Sequence, residues 1–150
     1  MKLKKISLIC LVSIMLILQC SVIASARSSD YLDAYGVYLT PQSGGKIVFT
    51  ADVNALRDMT KVGVTRLHLY ESKNGEDFYL KKSYFYEDYP IMMSSGLYYY
   101  KDIITYKGTS GYKYYAIAYC YASDSTGYDE KPYTTAIKTA IRSPISNRVG

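Results

Sequence analysis

A chain of 150 residues is long enough for one domain and short for two. Its 49% hydrophobic content permits a real core, and 19 tyrosines against three phenylalanines and no tryptophan favour strands over helices. A net charge of +5 hints at an acidic partner, but the placement of that charge removes the hint.

The chain opens on Lys2, Lys4 and Lys5 and runs through an apolar stretch from Ile6 to Leu18, too short for an ordinary transmembrane helix. Ala24-Ser-Ala26 then supplies the small residues that signal peptidase reads. Together these predict a cleaved signal peptide over residues 1–26, with Arg27 as the new N-terminus of a secreted protein. A lipoprotein acylated at Cys20 is the alternative, and Gln19 stands against it where a small residue is needed. An uncleaved anchor is disfavoured by the short apolar run, so no stable membrane anchor is expected.

Cleavage removes three lysines and no acid, leaving 124 residues, 15 basic and 13 acidic side chains and a net charge of +2. No Lys/Arg cluster remains, which excludes an electrostatic nucleic-acid footprint. Cys10 and Cys20 leave with the signal. Cys120 alone remains, so stability must come from the core and not from an internal disulfide.

Arg27–Asp30 reads as a short, mobile polar leader. A first strand is predicted over Ala34–Thr40, ended by the turn Pro41–Gly45. Lys46–Val53 alternates as a half-buried strand. Asn54–Val62 is ambiguous: Asn54 could cap a turn of helix, although the segment is too short to pack as one and reads better as a bridge between two sheets. Val64–Glu71 and Phe78–Tyr86 form a hairpin around Asn74-Gly75. Glu87–Gly96 is a crossing loop, and Leu97–Tyr106 is the next strand. Within Tyr98-Tyr99-Tyr100, alternation turns Tyr99 away from its neighbours and makes at least one of the three core. Tyr128–Ala140 gives one or two extended pieces, with Pro132 demanding an edge. Residues 27–140 form the domain, and residues 141–150 form a flexible tail.

The longest strand pattern is Gly111–Ser123. One parity carries Tyr114, Ala116, Ala118, Cys120 and Ala122; the other carries Tyr115, Ile117, Tyr119 and Tyr121. Apolar residues on both faces make this strand central. Seven strands at turn spacings of about 8–14 residues, with no helix of ordinary length, predict an all-β sandwich or barrel.

The run from Gly108 to Gly127, with its Gly-Thr turn, leading tyrosine and alternating apolar residues, resembles the penultimate strand of fibronectin type III and other immunoglobulin-like domains. The segments Lys61–Val64, Leu67–Glu71, Tyr106–Gly111 and Tyr114–Ala116 also resemble a family of small secreted proteins from Gram-positive bacteria, over about Tyr31–Thr135. That family has no established activity and supplies no catalytic residues. The resemblance implies a two-sheet immunoglobulin-like sandwich in which Tyr114, or else Tyr112, is the buried tyrosine. It also implies that the alanine parity of the central strand points inward. Side-chain size alone argues for the reverse orientation. The chain departs from typical immunoglobulin domains in having no cysteine pair and no tryptophan.

Chemistry is sparse. His68 is the only histidine and is expected to be a solvated sheet residue; Cys120, on the opposite parity, is a small core residue. The Asp124–Asp129 turn lacks the dense oxygens of a calcium loop, and Asp52 and Asp58 form no acid/base pair. No phosphate loop or metal set is present, so no cofactor and no enzymatic activity are expected. The one constellation is a sheet face. If Val64–Glu71 and Gly111–Ser123 are neighbours, Arg66, His68 and Tyr70 lie beside Tyr115, Tyr119 and Tyr121. Such a face suits a protein partner or self-association better than a glycan, and mutual stabilisation of exposed strands is the simpler use. The expectation is an exported, non-enzymatic binding module. The alternative is a small secreted effector, toxin-like or antimicrobial, acting on other cells.

Overall fold

The computed structural model describes residues 29–143; the expected signal segment, its expected cleavage after Ala26 and most of the expected tail lie outside that range. Seven strands occur: β1 (Leu32–Gln42), β2 (Lys46–Ser72), β3 (Tyr79–Phe85), β4 (Met93–Lys107), β5 (Lys113–Ser123), β6 (Tyr128–Thr134) and β7 (Lys138–Thr139). Two single 3-10 turns, Ser43–Gly45 and Pro90–Met92, are the only helical elements among the described residues. The fold is therefore all-β. All seven strands hydrogen-bond into one antiparallel sheet, which curls so that its inward side chains enclose a single core.

The sheet is organised by β2, which is 27 residues long. Its first half, Lys46–Asn54, lies between β1 and β4. Its second half, from Arg66 to Glu71, lies between β3 and β5, and β5 then pairs with β6 and β7. Register shifts against β4 between Asn54 and Val62 mark where the strand bends from one half to the other. Bulges of this kind kink a strand and increase its twist. At the corner, Val62, Gly63 and Val64 are all buried, because chain lies against both faces there. Gly63 has φ +150°, and a Cβ on it would collide with the Met92 carbonyl. Only glycine fits that position.

The Asn54–Val62 segment is thus continuous extended chain, and the helical option does not form. Its alternation fails because bulges leave Leu56, Arg57 and Asp58 exposed in succession while Ala55 and Met59 are buried. Three other boundaries differ from expectation: β1 runs Leu32–Gln42 rather than Ala34–Thr40, so Pro41 and Gln42 pair with Ile47 and Lys46 instead of turning. Met93–Gly96 belongs to β4, where Gly96 and Ser94 pair with Met59 and Val62. The polar leader is not free: the Asp129 carboxylate accepts hydrogen bonds from the Ser29 hydroxyl, from Asp30 N at 2.9 Å and from Tyr31 N at 3.3 Å.

The Asn74-Gly75 hairpin forms as expected. Asn74 Oδ1 accepts from the backbone N–H of Glu76 and Asp77, each at 3.0 Å, and Gly75 takes φ +86°. Pro132 lies on β6, which pairs only with β5 and so leaves the prolyl nitrogen on a free edge. At the chain's end, Ala140 exchanges backbone bonds with Tyr112 and Gly111, and Gly45 N donates to Ile141 O at 2.6 Å.

The parity of β5 is clear. Tyr114, Ala116, Ala118, Cys120 and Ala122 are fully buried, and Tyr115, Ile117, Tyr119 and Tyr121 are half-buried on the outside. Small inward residues leave room for Phe49, Ile47, Leu67 and Leu69 in the same core. The Tyr114 hydroxyl accepts from Thr109 N at 2.8 Å and donates to Glu71 Oε2 at 2.5 Å. Burial pushes the Tyr114 hydroxyl up to about 12, with the Glu71 bond acting the same way. Burial would raise Glu71 as well, but hydrogen bonds from Tyr114 and Lys81 carry its carboxyl below the ordinary range.

Candidate functional site

Strands β2 and β5 are neighbours, in the register that brings the expected face together. Arg66 lies opposite Tyr119, His68 opposite Ile117 and Tyr70 opposite Tyr115. On the other side of β2, Arg66 faces Phe85, His68 faces Ser83 and Tyr70 faces Leu80. Tyr121 lies two residues beyond Tyr119, opposite Glu130 of β6. All six expected residues therefore share one outward surface that spans four strands.

Their side chains are fixed by one another. Tyr70 lies flat on Tyr115, with centroids 4.8 Å apart and planes within 4°, and Phe78 meets Tyr115 edge-on at 4.9 Å. The His68 ring stands between Phe85 at 6.2 Å and Tyr119 at 5.9 Å, both edge-on. Its Nδ1 shares a hydrogen bond with Ser83 Oγ at 2.8 Å. His68 is accordingly half-buried and not the solvated residue expected, because ring neighbours on both adjacent strands close over it. The Arg66 guanidinium covers the Tyr119 ring at 3.9 Å and bonds Glu130 Oε2 at 3.1 Å. Glu130 Oε1 also accepts from Thr65 at 2.5 Å. Tyr121 stacks on Tyr128 at 5.7 Å. Desolvation, and then the stacked Tyr70, raise the Tyr115 hydroxyl above its ordinary range.

Phe78, Leu80, Phe85, Tyr128 and Glu130 complete this surface and were missed in the sequence. The β3 members had a local signal for pairing only: Asn74-Gly75 announces a hairpin, but a tight two-residue turn there would set Ser83 beside Arg66, and the longer loop with a bulge between Leu69 and Tyr70 brings Phe85 there instead. Tyr128 and Glu130 had none, because the β5–β6 turn carries no register-setting dipeptide. At the rim, Leu80, Phe85 and Tyr128 are 57%, 42% and 65% exposed, so the aromatic surface remains open to a large partner.

Cys120 and His68 do not form a nucleophile pair. Cys120 points inward and His68 outward, and burial pushes the Cys120 thiol up to about 12, far from a reactive thiolate. Among the described residues no group of three His, Cys, Asp or Glu side chains is placed to hold a metal ion. Asp124 is engaged internally: Thr126 N and Thr126 Oγ1 bond its Oδ1 at 2.7 and 2.6 Å, and Arg57 pairs with Oδ2 at 2.8 Å.

Tyr98-Tyr99-Tyr100 divides as alternation requires. Tyr99 is buried, and Tyr98 and Tyr100 point outward from β4. Two buried side-chain polar atoms among the described residues lack a hydrogen-bond partner. They are Arg66 Nε, on the surface just described, and Asp52 Oδ1, beside Tyr98 and Tyr100 on the first half of β2. No family model, no curated protein and no solved structure matches this chain.

Proposed function

We propose that the protein is exported and works as a non-enzymatic binding module, with the Arg66/His68/Tyr70 and Tyr115/Tyr119/Tyr121 face meeting a protein partner or a second copy of the chain. The observation that carries the reading is the mutual locking of those side chains. Rings already packed against each other have met their ordering cost during folding, so docking against them loses little further freedom. Tyrosine and arginine are also the residue types that dominate protein contacts. The face runs across four strands and presents exposed Leu80, Phe85 and Tyr128 at its margin, which suits a broad protein surface. The reading requires no cofactor.

The same proposal takes the curled sheet as an immunoglobulin-like, fibronectin type III-like sandwich of two layers joined through β2. In its favour, the Tyr114 hydroxyl reaches back to the backbone of Thr109 at the start of the penultimate long strand, as the buried tyrosine of such domains does. Export rests on Lys2, Lys4, Lys5, the short apolar run and Ala24-Ser-Ala26. N-terminal sequencing of protein from the culture medium should begin at Arg27, and an intact leader on the released chain would overturn that part.

The binding reading is tested by sedimentation of the wild type and a Phe85→Ala/Tyr121→Ala variant, after circular dichroism shows both folded. Each is run alone and with cell-surface protein extract. The wild type is expected to form a dimer or a complex that the variant does not form. Wild-type protein that stays monomeric and free, or an association that the variant retains, overturns the reading.

A further inference from the structure

We infer that the outward face of the first half of β2 is a second binding site, and that it takes a neutral saccharide chain. Register sets the site. Asp52 lies opposite Gly36 on β1 and opposite Tyr100 on β4, and Asn54 lies opposite Ala34 and Tyr98. Tyr38 lies across from Thr50, which donates to Asp102 at 2.6 Å. Large side chains thus flank a strip where Ala34 and Gly36 leave a dent. The dent is a cavity of about 90 Å³ bordered by Tyr35, Tyr38, Asp52 and Asn54.

Three features identify the occupant. Tyr38, Tyr98 and Tyr100 are 51%, 53% and 59% exposed, so about half of each side chain meets solvent. The Tyr98 and Tyr100 planes are within 9° of parallel, with centroids 6.3 Å apart, forming a repeated aromatic platform along one strand. Asp52 Oδ1 is buried in the wall between them and accepts from no group. A buried acceptor without a donor is costly, by about 1–3 kcal/mol, and its retention at one spot calls for a donor from outside. A sugar supplies both halves of the match. Its ring C–H face lies on an aromatic ring, and its hydroxyls donate to a carboxylate. Asn54 adds an amide with both donor and acceptor capacity. A cationic ligand fits less well, because Asp52 is the one charged side chain that lines the dent. A protein strand fits less well too, because a flat strand would bridge over the dent of about 90 Å³ and leave it unfilled.

This site is separate from the Arg66/Tyr119 face and does not depend on the protein-binding reading. The test uses the purified chain with three defined probes, cellohexaose, maltohexaose and chitohexaose, titrated while backbone and tyrosine ring resonances are followed by NMR. At least one probe should shift Tyr98, Tyr100 and Asn54 in a saturable way and leave Tyr119 and Tyr121 unmoved. Tyr100→Ala and Tyr98→Ala should each weaken that binding by about tenfold or more. Asp52→Asn removes the unpaired charge without changing shape. It should weaken binding to a similar degree while the Tm stays level or rises, a combination that a merely structural carboxylate does not give. Absence of saturable shifts with all three probes overturns the inference. So does binding that survives both tyrosine substitutions, shifts confined to the Tyr119 face, or a dimer through Tyr98 and Tyr100 that dissociates on Tyr98→Ala.

Discussion

Two outward faces of β2 carry tyrosines in similar number and use them differently. On the second half, Tyr70 is stacked on Tyr115, and Tyr119 is held between His68 and the Arg66 guanidinium, so each ring is covered by another protein group. On the first half, Tyr38, Tyr98 and Tyr100 keep about half or more of their surface in water. The residue type is the same and the strand is the same; the neighbours decide. The covered face has a four-strand width, and neighbouring strands supply the groups that close over Tyr70, Tyr115 and Tyr119. The open face has three strands, and its β1 members at Ala34 and Gly36 are too small to cover anything. A ring that is covered contributes to folding and offers a pre-ordered surface only to a broad partner, whereas a ring left bare on a sheet contributes little to stability and is available to a small ligand.

The largest expected effect lies at the corner that joins the two faces. Gly63→Ala places a Cβ into the Met92 carbonyl at a backbone angle that suits glycine, and should cost on the order of 3 kcal/mol or more, read as a shift of the urea midpoint. A shift under about 1 kcal/mol would mean the corner has slack, and the faces are then not rigidly joined. Next come matched truncations. Tyr119→Ala should cost about 2 kcal/mol, lowering Tm by roughly 5–10 °C, while Tyr98→Ala and Tyr100→Ala stay within about 0.5 kcal/mol of wild type. Mild tyrosine nitration, mapped by mass spectrometry, should follow the same division, with Tyr98, Tyr100 and Tyr38 modified well before Tyr115 and Tyr119. Equal costs and equal labelling on both faces would erase the distinction.

Cys120 reports on the inward side of the covered face. With its thiol pushed up to about 12 by burial, the folded chain holds roughly a thousandfold less thiolate at pH 8 than the unfolded chain. Iodoacetamide should therefore modify it only after denaturant is added. Rapid labelling in buffer would show that β5 opens without global unfolding.

The smallest effect concerns acid. Hydrogen bonds from Thr126, and then the Arg57 ion pair, hold Asp124 down to about 2, and the Ser29 hydroxyl and the Tyr31 and Asp30 amides hold Asp129 below its ordinary range. Both carboxyls are depressed on folding, so their stabilisation is present above the unfolded value near pH 4 and is lost as pH falls toward about 2. Both also tie the start of β1 to the β5–β6 end of the sheet. The protection of the Tyr31 and Leu32 amides, taken relative to the intrinsic exchange rate at each pH, should fall across that window while the two tyrosine faces keep their ring environments. No change at those amides between pH 4 and 2 would show that the carboxyl contacts are not what holds the leader.

Much of the sheet was legible because local chemistry dictates it. Asn74-Gly75 defines a hairpin by itself, the unbroken parity of Gly111–Ser123 marks a central strand, and Pro132 marks an edge. Pairing Val64–Glu71 with that central strand placed all six residues of the covered face correctly on one surface. The corner was legible only in part: Asn54–Val62 reads as a bridge, but its path as continuous extended chain was hidden, because bulges leave Leu56, Arg57 and Asp58 exposed in succession and no period to detect. The open face was hidden for a different reason. Asp52 and Tyr100 are far apart in sequence, and nothing local announces that β2 and β4 meet in that register.

The 27-residue span of β2 has a further consequence. Every long strand of the sheet except β6 is hydrogen-bonded to it, so neither half retains a complete set of backbone partners once β2 lets go. A chain built this way should open as a unit, with few partly unfolded forms for a protease to grip. If the chain is exported as proposed, beyond the reach of cellular chaperones and with Cys120 a free buried thiol, that single shared strand would set its working lifetime.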